Sequence, residues 1–433
     1  MADINALIDM MRQLEDQLVV CMRCGMCQAV CPLYAQTGRE ADVARGKLAL
    51  LDGLLHEMFK DPQGASQRLS KCLLCGSCEA NCPSGVSVMD IFLKARAILA
   101  GYMGLPPAKR LILRGLLGHP ERFDQMSSWG AKFQKIFTRP ANAVLGTSCA
   151  RFASPLLGDR HFRHLADPPF HRSVPALDTR GGRSGLRTAF FVGCLIDKLY
   201  PQIAQASLTA LGHHGVDVFL PENQACCGIP AISSGDLDTF TKLVRHNVEL
   251  FARQKFDYLI TACATCTSTI KKVWPQMVPA SADFHAQVLR LAAKTMDIHQ
   301  FLVKKAGQVA SPRPAATARR SVTYHDPCHL KKSLGVWAEP RRLIQANADY
   351  ALREMPGSDQ CCGMGGSFNL QYYEISSNIG RLKLESITAS GCSTVATGCP
   401  ACMLQISDMI SRSGQPIDVK HAMEIYAESL EAK

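Results

Sequence analysis

Eighteen of the twenty cysteines fall on spacings suited to metal or redox chemistry. Cys21, Cys24, Cys27 and Cys31 precede Pro32, and Cys72, Cys75, Cys78 and Cys82 precede Pro83, so the run C-x2-C-x2-C-x3-C-P occurs twice. Three thiolates so closely spaced wrap one corner of a cubane [4Fe–4S] cluster, while the fourth points away to a second cube. On that rule one cluster takes Cys21, Cys24, Cys27 and Cys82, and the other takes Cys72, Cys75, Cys78 and Cys31. Zinc knuckles also use C-x2-C, but they give no reason for the third step or the Cys-Pro ending. Gly25 and Gly76 are expected to let backbone approach the sulfurs.

The other ten cysteines form an internal repeat. Cys194, Cys226-Cys227-Gly228 and Cys263-x2-Cys266 recur as Cys328, Cys361-Cys362-Gly363 and Cys399-x2-Cys402, at offsets of 134 to 136 residues. Adjacent thiols hardly chelate one metal together, yet they can serve different irons of one cluster. Zinc, a redox-active disulfide, a vestigial site and packed thiols compete with that reading. Gly228 and Gly363 would leave room for a cluster against the backbone. Cys149 and Cys392 lie off both templates and read as free buried thiols. His329, directly after Cys328, suits either a sulfur donor or a structural role. The thirteen histidines form no His-Glu-x-x-His site.

Elements must hold these thiols, and the chain is long enough for several domains: 433 residues, 47% hydrophobic and 20% charged. Apolar stretches at 188–192, 216–221 and 258–261 predict strands, with helices at 198–214 and 236–254. The second copy repeats the strands at 321–324, 351–355 and 394–397. Strands alternating with helices imply parallel sheets, and each cysteine group then sits just past a strand's C-terminal end. Residues 32–71 carry helical patterning around 42–59. The fold class is α+β multidomain: a helical two-cluster domain (1–100), a basic Pro/Gly-containing linker (101–187) and duplicated α/β parallel-sheet domains (188–303 and 321–433).

The net charge of +11 is uneven. Residues 101–187 hold fourteen Lys and Arg against five acids, and 304–320 hold five more bases, including Arg313 and Arg319, without an acid. Such segments make solvated or docking surfaces. Without a nucleic-acid motif, and with only 7% aromatics, no nucleic acid is expected as partner. Lys109–Leu117 is a short basic amphipathic stretch, read as packing on the protein or a partner before lipid. No apolar run of about 18 residues occurs, so no transmembrane segment is expected. The start, Met1 to Asn5, shows no export signal, which predicts a cytoplasmic location, at most peripheral at the inner face of the membrane.

The duplicated C-x31–32-C-C-G-x34–35-C-x2-C pattern resembles the cysteine-rich CCG domains of heterodisulfide reductase. Fused to a helical two-cluster ferredoxin, it resembles the iron–sulfur subunit of glycolate oxidase or D-lactate dehydrogenase. Iron–sulfur subunits of anaerobic glycerol-3-phosphate dehydrogenase and of heterodisulfide reductase share the architecture. The resemblance covers about 1–100 and 188–420. It implies noncubane [4Fe–4S] clusters, one or two in number, at Cys194, Cys226, Cys227, Cys263 and Cys266 and at Cys328, Cys361, Cys362, Cys399 and Cys402. No G-x-G-x-x-G or P-loop is present to hold a flavin or nicotinamide. The resemblance therefore implies an electron-transfer subunit, with FAD on a partner dehydrogenase subunit and a quinone or other carrier as acceptor. The alternatives are a catalytic heterodisulfide reductase subunit and the glycerol-3-phosphate relative.

Overall fold

Met10, Leu14 and Leu18 recur every fourth residue, so the helix Ile4–Leu18 buries one stripe, laid against the apolar helix Val88–Met103. The computed structural model describes residues 4–431 apart from 59, 61, 153–157, 279–281 and 308–319. Arg313 and Arg319 of the second basic stretch thus lie outside the described residues. The first hundred residues are helical, with no strand among the described residues. Two one-turn helices, Met26–Ala29 and Ser77–Ala80, each begin at a left-handed glycine, Gly25 (φ 87°) and Gly76 (φ 68°). The turn lets the chain reverse between successive cysteines.

Residues 101–187 fold, where a linker was expected. Pro107 and Pro120 open helices Pro107–Arg110 and Pro120–Phe137 at the position where a missing N–H costs nothing. An antiparallel sheet follows, of β1 (Thr138–Asn142), β2 (Thr147–Ala150) and β3 (Phe162–Arg163). The helix Phe170–Ser173 leads to β4 (Leu177–Asp178), which pairs antiparallel to a strand of the first repeat. The segment is anchored on the second repeat by Thr147 Oγ1 to Ser411 Oγ (2.6 Å) and by the His161 N–H donating to Asp408 (2.8 Å). The proline and glycine breakers therefore punctuate short elements.

The first repeat contributes β5 (Arg187–Phe190), β6 (Asp217–Leu220), β7 (Tyr258–Thr261) and β8 (Thr295–Asp297). The second contributes β9 (Arg320–His325), β10 (Tyr350–Leu352), β11 (Thr394–Thr397) and β12 (Asp418–His421). The sheet orders are β4-β6-β5-β7-β8 and β10-β9-β11-β12, and every pair within the repeats is parallel. Both copies thus have one topology, with a fourth strand, β8 or β12, that the hydrophobic pattern did not reveal. The repeats meet through the helices Pro201–His213 and Ala422–Glu431, where His214 Nε2 bonds the Tyr426 hydroxyl at 2.7 Å.

Candidate iron–sulfur centres

The one-turn helices and their flanking loops bring the N-terminal cysteines together in two groups. Cys21, Cys24, Cys27 and Cys82 line one cavity, and Cys31, Cys72, Cys75 and Cys78 line the next; Cys78 also borders the first. Backbone N–H groups point at the sulfurs: Tyr34 at Cys31 (3.5 Å), Leu74 at Cys72 (3.4 Å) and Val86 at Cys82 (3.4 Å). Burial pushes Cys31 up to about 11 and Cys78 higher still. Such buried thiolates require a compensating cation, which an iron cluster supplies. The protein adds buried Lys47 nearby, and Arg96, which donates to the carbonyls of Leu69 (2.5 Å) and Cys72 (2.8 Å).

In the first repeat, Cys194 follows β5, Cys226-Cys227 follow β6, and Cys263 caps the short helix after β7 that carries Cys266. Cys194 and Cys226 sulfurs lie 3.6 Å apart. Cys227 and Cys263 both contact Cys266, so all five thiols converge. Asn247 holds the vicinal pair by accepting from Ala225 N–H (3.0 Å) and donating to Cys226 O (3.1 Å), and Trp274 Nε1 donates to Cys227 O (2.8 Å). The second repeat is built alike, with contacts Cys328–Cys361, Cys362–Cys402 and Cys399–Cys402. Hydrogen bonds from Cys226 and Cys266 hold Cys227 well below the usual thiol range, and Cys361 and Cys402 do the same to Cys362. No disulfide joins any of the twenty cysteines.

His325 marks the second group as built for something more than packed thiols. Its ring is buried, neither nitrogen has a hydrogen-bond partner, and one nitrogen lies within 4.8 Å of the Cys362 and Cys402 sulfurs. Burial, with Lys383 nearby, depresses it to about 3, so it stays neutral. A buried imidazole without partners is costly unless a further acceptor or ligand is present. The five converging thiols of each repeat, joined in the second by His325, fit an iron–sulfur cluster. Sequence reasoning passed over His325 because it ends a strand two residues ahead of the Pro327-Cys328 turn.

The glycines act differently from expectation. A side chain at Gly25 would strike the Arg45 guanidinium (2.9 Å), and at Gly228 and Gly363 it would strike Phe240 (2.8 Å) and Ser376 O (2.5 Å). Their positive φ, between 87° and 95°, sets the turn, and no sulfur is the near neighbour. Gly193 is the glycine that makes room for sulfur: its added Cβ would lie 3.1 Å from Cys266 Sγ.

The groups also touch one another. Cys75 contacts Cys361, joining the N-terminal domain to the second repeat, and Cys263 contacts Cys399 between the repeats. His329 accounts for part of this junction: its ring nitrogens lie 3.0 Å from Leu74 O and 3.2 Å from Thr265 Oγ1. Cys149 is half-buried beside Arg139 Nε (3.3 Å), and Cys392 is buried against Ser390 O (3.7 Å). Within Lys109–Leu117, Leu113 and Leu117 pack inside while Leu111 and Ile112 are exposed.

This architecture defines an iron–sulfur protein with duplicated cysteine-rich domains. A cysteine-rich (CCG) domain model matches residues 188–271 and 322–407, and a 4Fe–4S dicluster model matches 17–86. Lactate utilization protein A of Geobacillus kaustophilus is 32% identical over 242 residues, 55% of this chain and 98% of that protein. The probable glycolate oxidase iron–sulfur subunit of Bacillus subtilis is 28% identical over 412 residues, 92% of this chain and 90% of that protein. One subunit of the fumarate reductase (CoM/CoB) of Methanothermobacter marburgensis is 33% identical over 271 residues, 62% of this chain and 52% of that longer protein. The chain belongs to this family of CCG-domain iron–sulfur subunits of oxidoreductases.

Proposed function

We propose that the chain is the iron–sulfur electron-transfer subunit of a flavin-dependent 2-hydroxyacid dehydrogenase, of the glycolate or D-lactate type. The observation that carries this is the unbroken series of cysteine groups. It runs from exposed Cys24, through Cys78 and the Cys75–Cys361 contact, to the Cys399–Cys263 contact and on to Cys194. Loaded with two cubane and one or two noncubane clusters, these groups supply one-electron carriers between a partner FAD and a quinone or other acceptor. The cubane ligands are Cys21, Cys24, Cys27 and Cys82, then Cys72, Cys75, Cys78 and Cys31. The repeat ligands are the two five-cysteine sets. Similarity along nearly the whole glycolate oxidase subunit supports this reading over a disulfide reductase.

No described helix is long and apolar enough to cross a membrane. Contact with a lipid surface falls to the helix Pro120–Phe137, whose Met126, Trp129, Phe133, Ile136 and Phe137 are exposed at helical spacing. The test is anaerobic purification of the chain from its host. A co-purifying flavoprotein bleached by glycolate or D-lactate is the expected result. A chain that arrives without flavin and reduces a disulfide substrate unaided overturns the proposal.

A further inference from the structure

The two repeats present equivalent faces over their first and second cysteines, and the faces differ in what covers them. In the second repeat the N-terminal domain closes the face. Cys75 reaches Cys361, Leu33 and Leu73 pack with Cys361 and Phe368, and Lys332 donates to Ser77 Oγ at 2.7 Å. In the first repeat the corresponding face, over Cys194 and Cys226, lines an open cleft. Lys198 stands there in the sequence position that Lys332 holds in the second copy.

The cleft is shallow and shares its space with solvent. Its walls include Leu117, Phe123, Phe170 and Leu220. Its titratable groups Asp124, His171, Asp197 and Lys198 form one cluster. Lys198, with a 6% exposed side chain, pairs with Asp124 and with Asp197 (2.7 Å). His171 Nδ1 lies 2.9 Å from Asp197 Oδ1, while Nε2 is 3.8 Å from Asp124 Oδ2. The ammonium of Lys198 already sits between both carboxylates, so this cluster needs no metal. The helix that supplies Phe123 and Asp124 also carries the exposed row Met126, Trp129, Phe133 and Ile136, among Arg122, Lys132 and Lys135. The cleft therefore opens beside a face suited to an anionic lipid surface.

The geometry points to this cleft as the binding site of a lipid-soluble quinone, which makes the second repeat the electron entry and the first repeat the exit. The inference rests on the electron-transfer reading above and adds the place and class of the acceptor. A quinone ring would enter from the open side and lie against the apolar walls, with a carbonyl oxygen accepting from Lys198 or His171. Its conversion to quinol consumes two electrons and two protons, and each C=O becomes C–OH. The electrons would be supplied singly by an iron–sulfur cluster held by Cys194, Cys226, Cys227, Cys263 and Cys266, with the partner dehydrogenase as their source. The protons come through His171, which Asp197 orients and solvent recharges.

The full-length, cluster-loaded chain is to be illuminated with an azido-substituted short-chain benzoquinone and its cross-linked peptides mapped. Saturable labelling within 117–124, 170–175, 192–198 or 220–226, competed by the parent quinone, is expected. Pro175→Trp, at the exposed rim, should cut labelling about tenfold at unchanged iron content. Labelling that maps elsewhere, or that does not saturate, overturns the inference. Reduction of a water-soluble dye by the assembled complex is measured alongside. If the complex reduces no dye, the electron-transfer reading fails and with it this inference. If dye reduction persists and the label misses the cleft, only the acceptor site is wrong.

Discussion

The Cys75 thiol of the N-terminal domain rests against that of Cys361 in the second repeat. These residues belong to two motifs that spacing alone treats as independent. Their contact buries one edge of the second cysteine group under Leu33, Leu73 and Phe368. An apolar junction of this kind shields charge moving across it and fixes the two domains in one orientation.

Substituting this junction separates cluster-bearing from bystander thiols. Cys361→Ser should lower bound iron by about four atoms per chain if it holds a [4Fe–4S] cluster. Cys392→Ser, at a buried thiol whose neighbour is Ser390 O, should leave iron unchanged. Iron and acid-labile sulfide assays on anaerobic protein decide the matter. Equal iron in both variants would remove Cys361 from the ligand set.

Gly193 offers a sharper probe because it touches a sulfur without being a ligand. Its φ of 78° with ψ of 155° lies in a region used essentially by glycine alone, where a side chain costs of order 1–3 kcal/mol. The new Cβ would also press on Cys266 Sγ at 3.1 Å. Gly193→Ala should therefore lose the first repeat's centre while keeping the N-terminal cubanes. Gly212→Ala, where nothing lies within 4 Å, is the control. Low-temperature EPR of the reduced proteins reads the difference.

The cysteine groups and the strands leading into them were legible because both follow local rules: ligand spacing and short apolar runs ended by turn residues. β7 and β11 match their predicted spans of 258–261 and 394–397. β8 (Thr295-Met296-Asp297) and β12 (Asp418 to His421) were not legible, because each carries a single apolar residue. The 101–187 segment misled for a related reason. Its prolines and charges read as breakers, although Phe170 and Leu117 are buried and its partners lie hundreds of residues away. Contacts such as His161–Asp408 and Cys263–Cys399 depend on tertiary placement, which no local pattern encodes. The exposed row on Pro120–Phe137 did have a readable signal, at positions 126, 129, 133 and 136, but the denser basic and apolar alternation of Lys109–Leu117 masks it.

Asp408 gives a pH signature for docking of that segment. Burial pushes its carboxyl above the usual range, despite the His161 N–H (2.8 Å) and the Tyr373 hydroxyl (2.8 Å) donating to it. The folded state thus binds the proton more tightly than the unfolded chain. Its contribution is present in full below the unfolded carboxylate value, and is lost as pH rises through the raised folded value. Asp408→Asn stays neutral and keeps an acceptor for His161. Its melting temperature should exceed that of wild type at pH 7, with the gap closing below about pH 4. A deficit at pH 7 that closes at low pH would mean that the charge itself is required.

The outward face of Pro120–Phe137 gives the last prediction. Trp129 is 70% exposed and Phe137 60%, a cost that a chain facing only water would not be expected to carry in one row. Lys132 and Lys135 on the same helix favour anionic headgroups. The full-length protein should therefore float with phosphatidylglycerol vesicles, and less so with neutral phosphatidylcholine. Binding should weaken as salt rises, because screening removes the basic contribution. Trp129→Ser with Phe133→Ser should reduce flotation about tenfold or more, since each aromatic ring buried in the interface is worth about 1–2 kcal/mol. Both residues face solvent, so folding and iron content should be unaffected. Flotation independent of headgroup charge and of these two residues would assign the apolar row to a protein partner, with the flavin subunit the first to test.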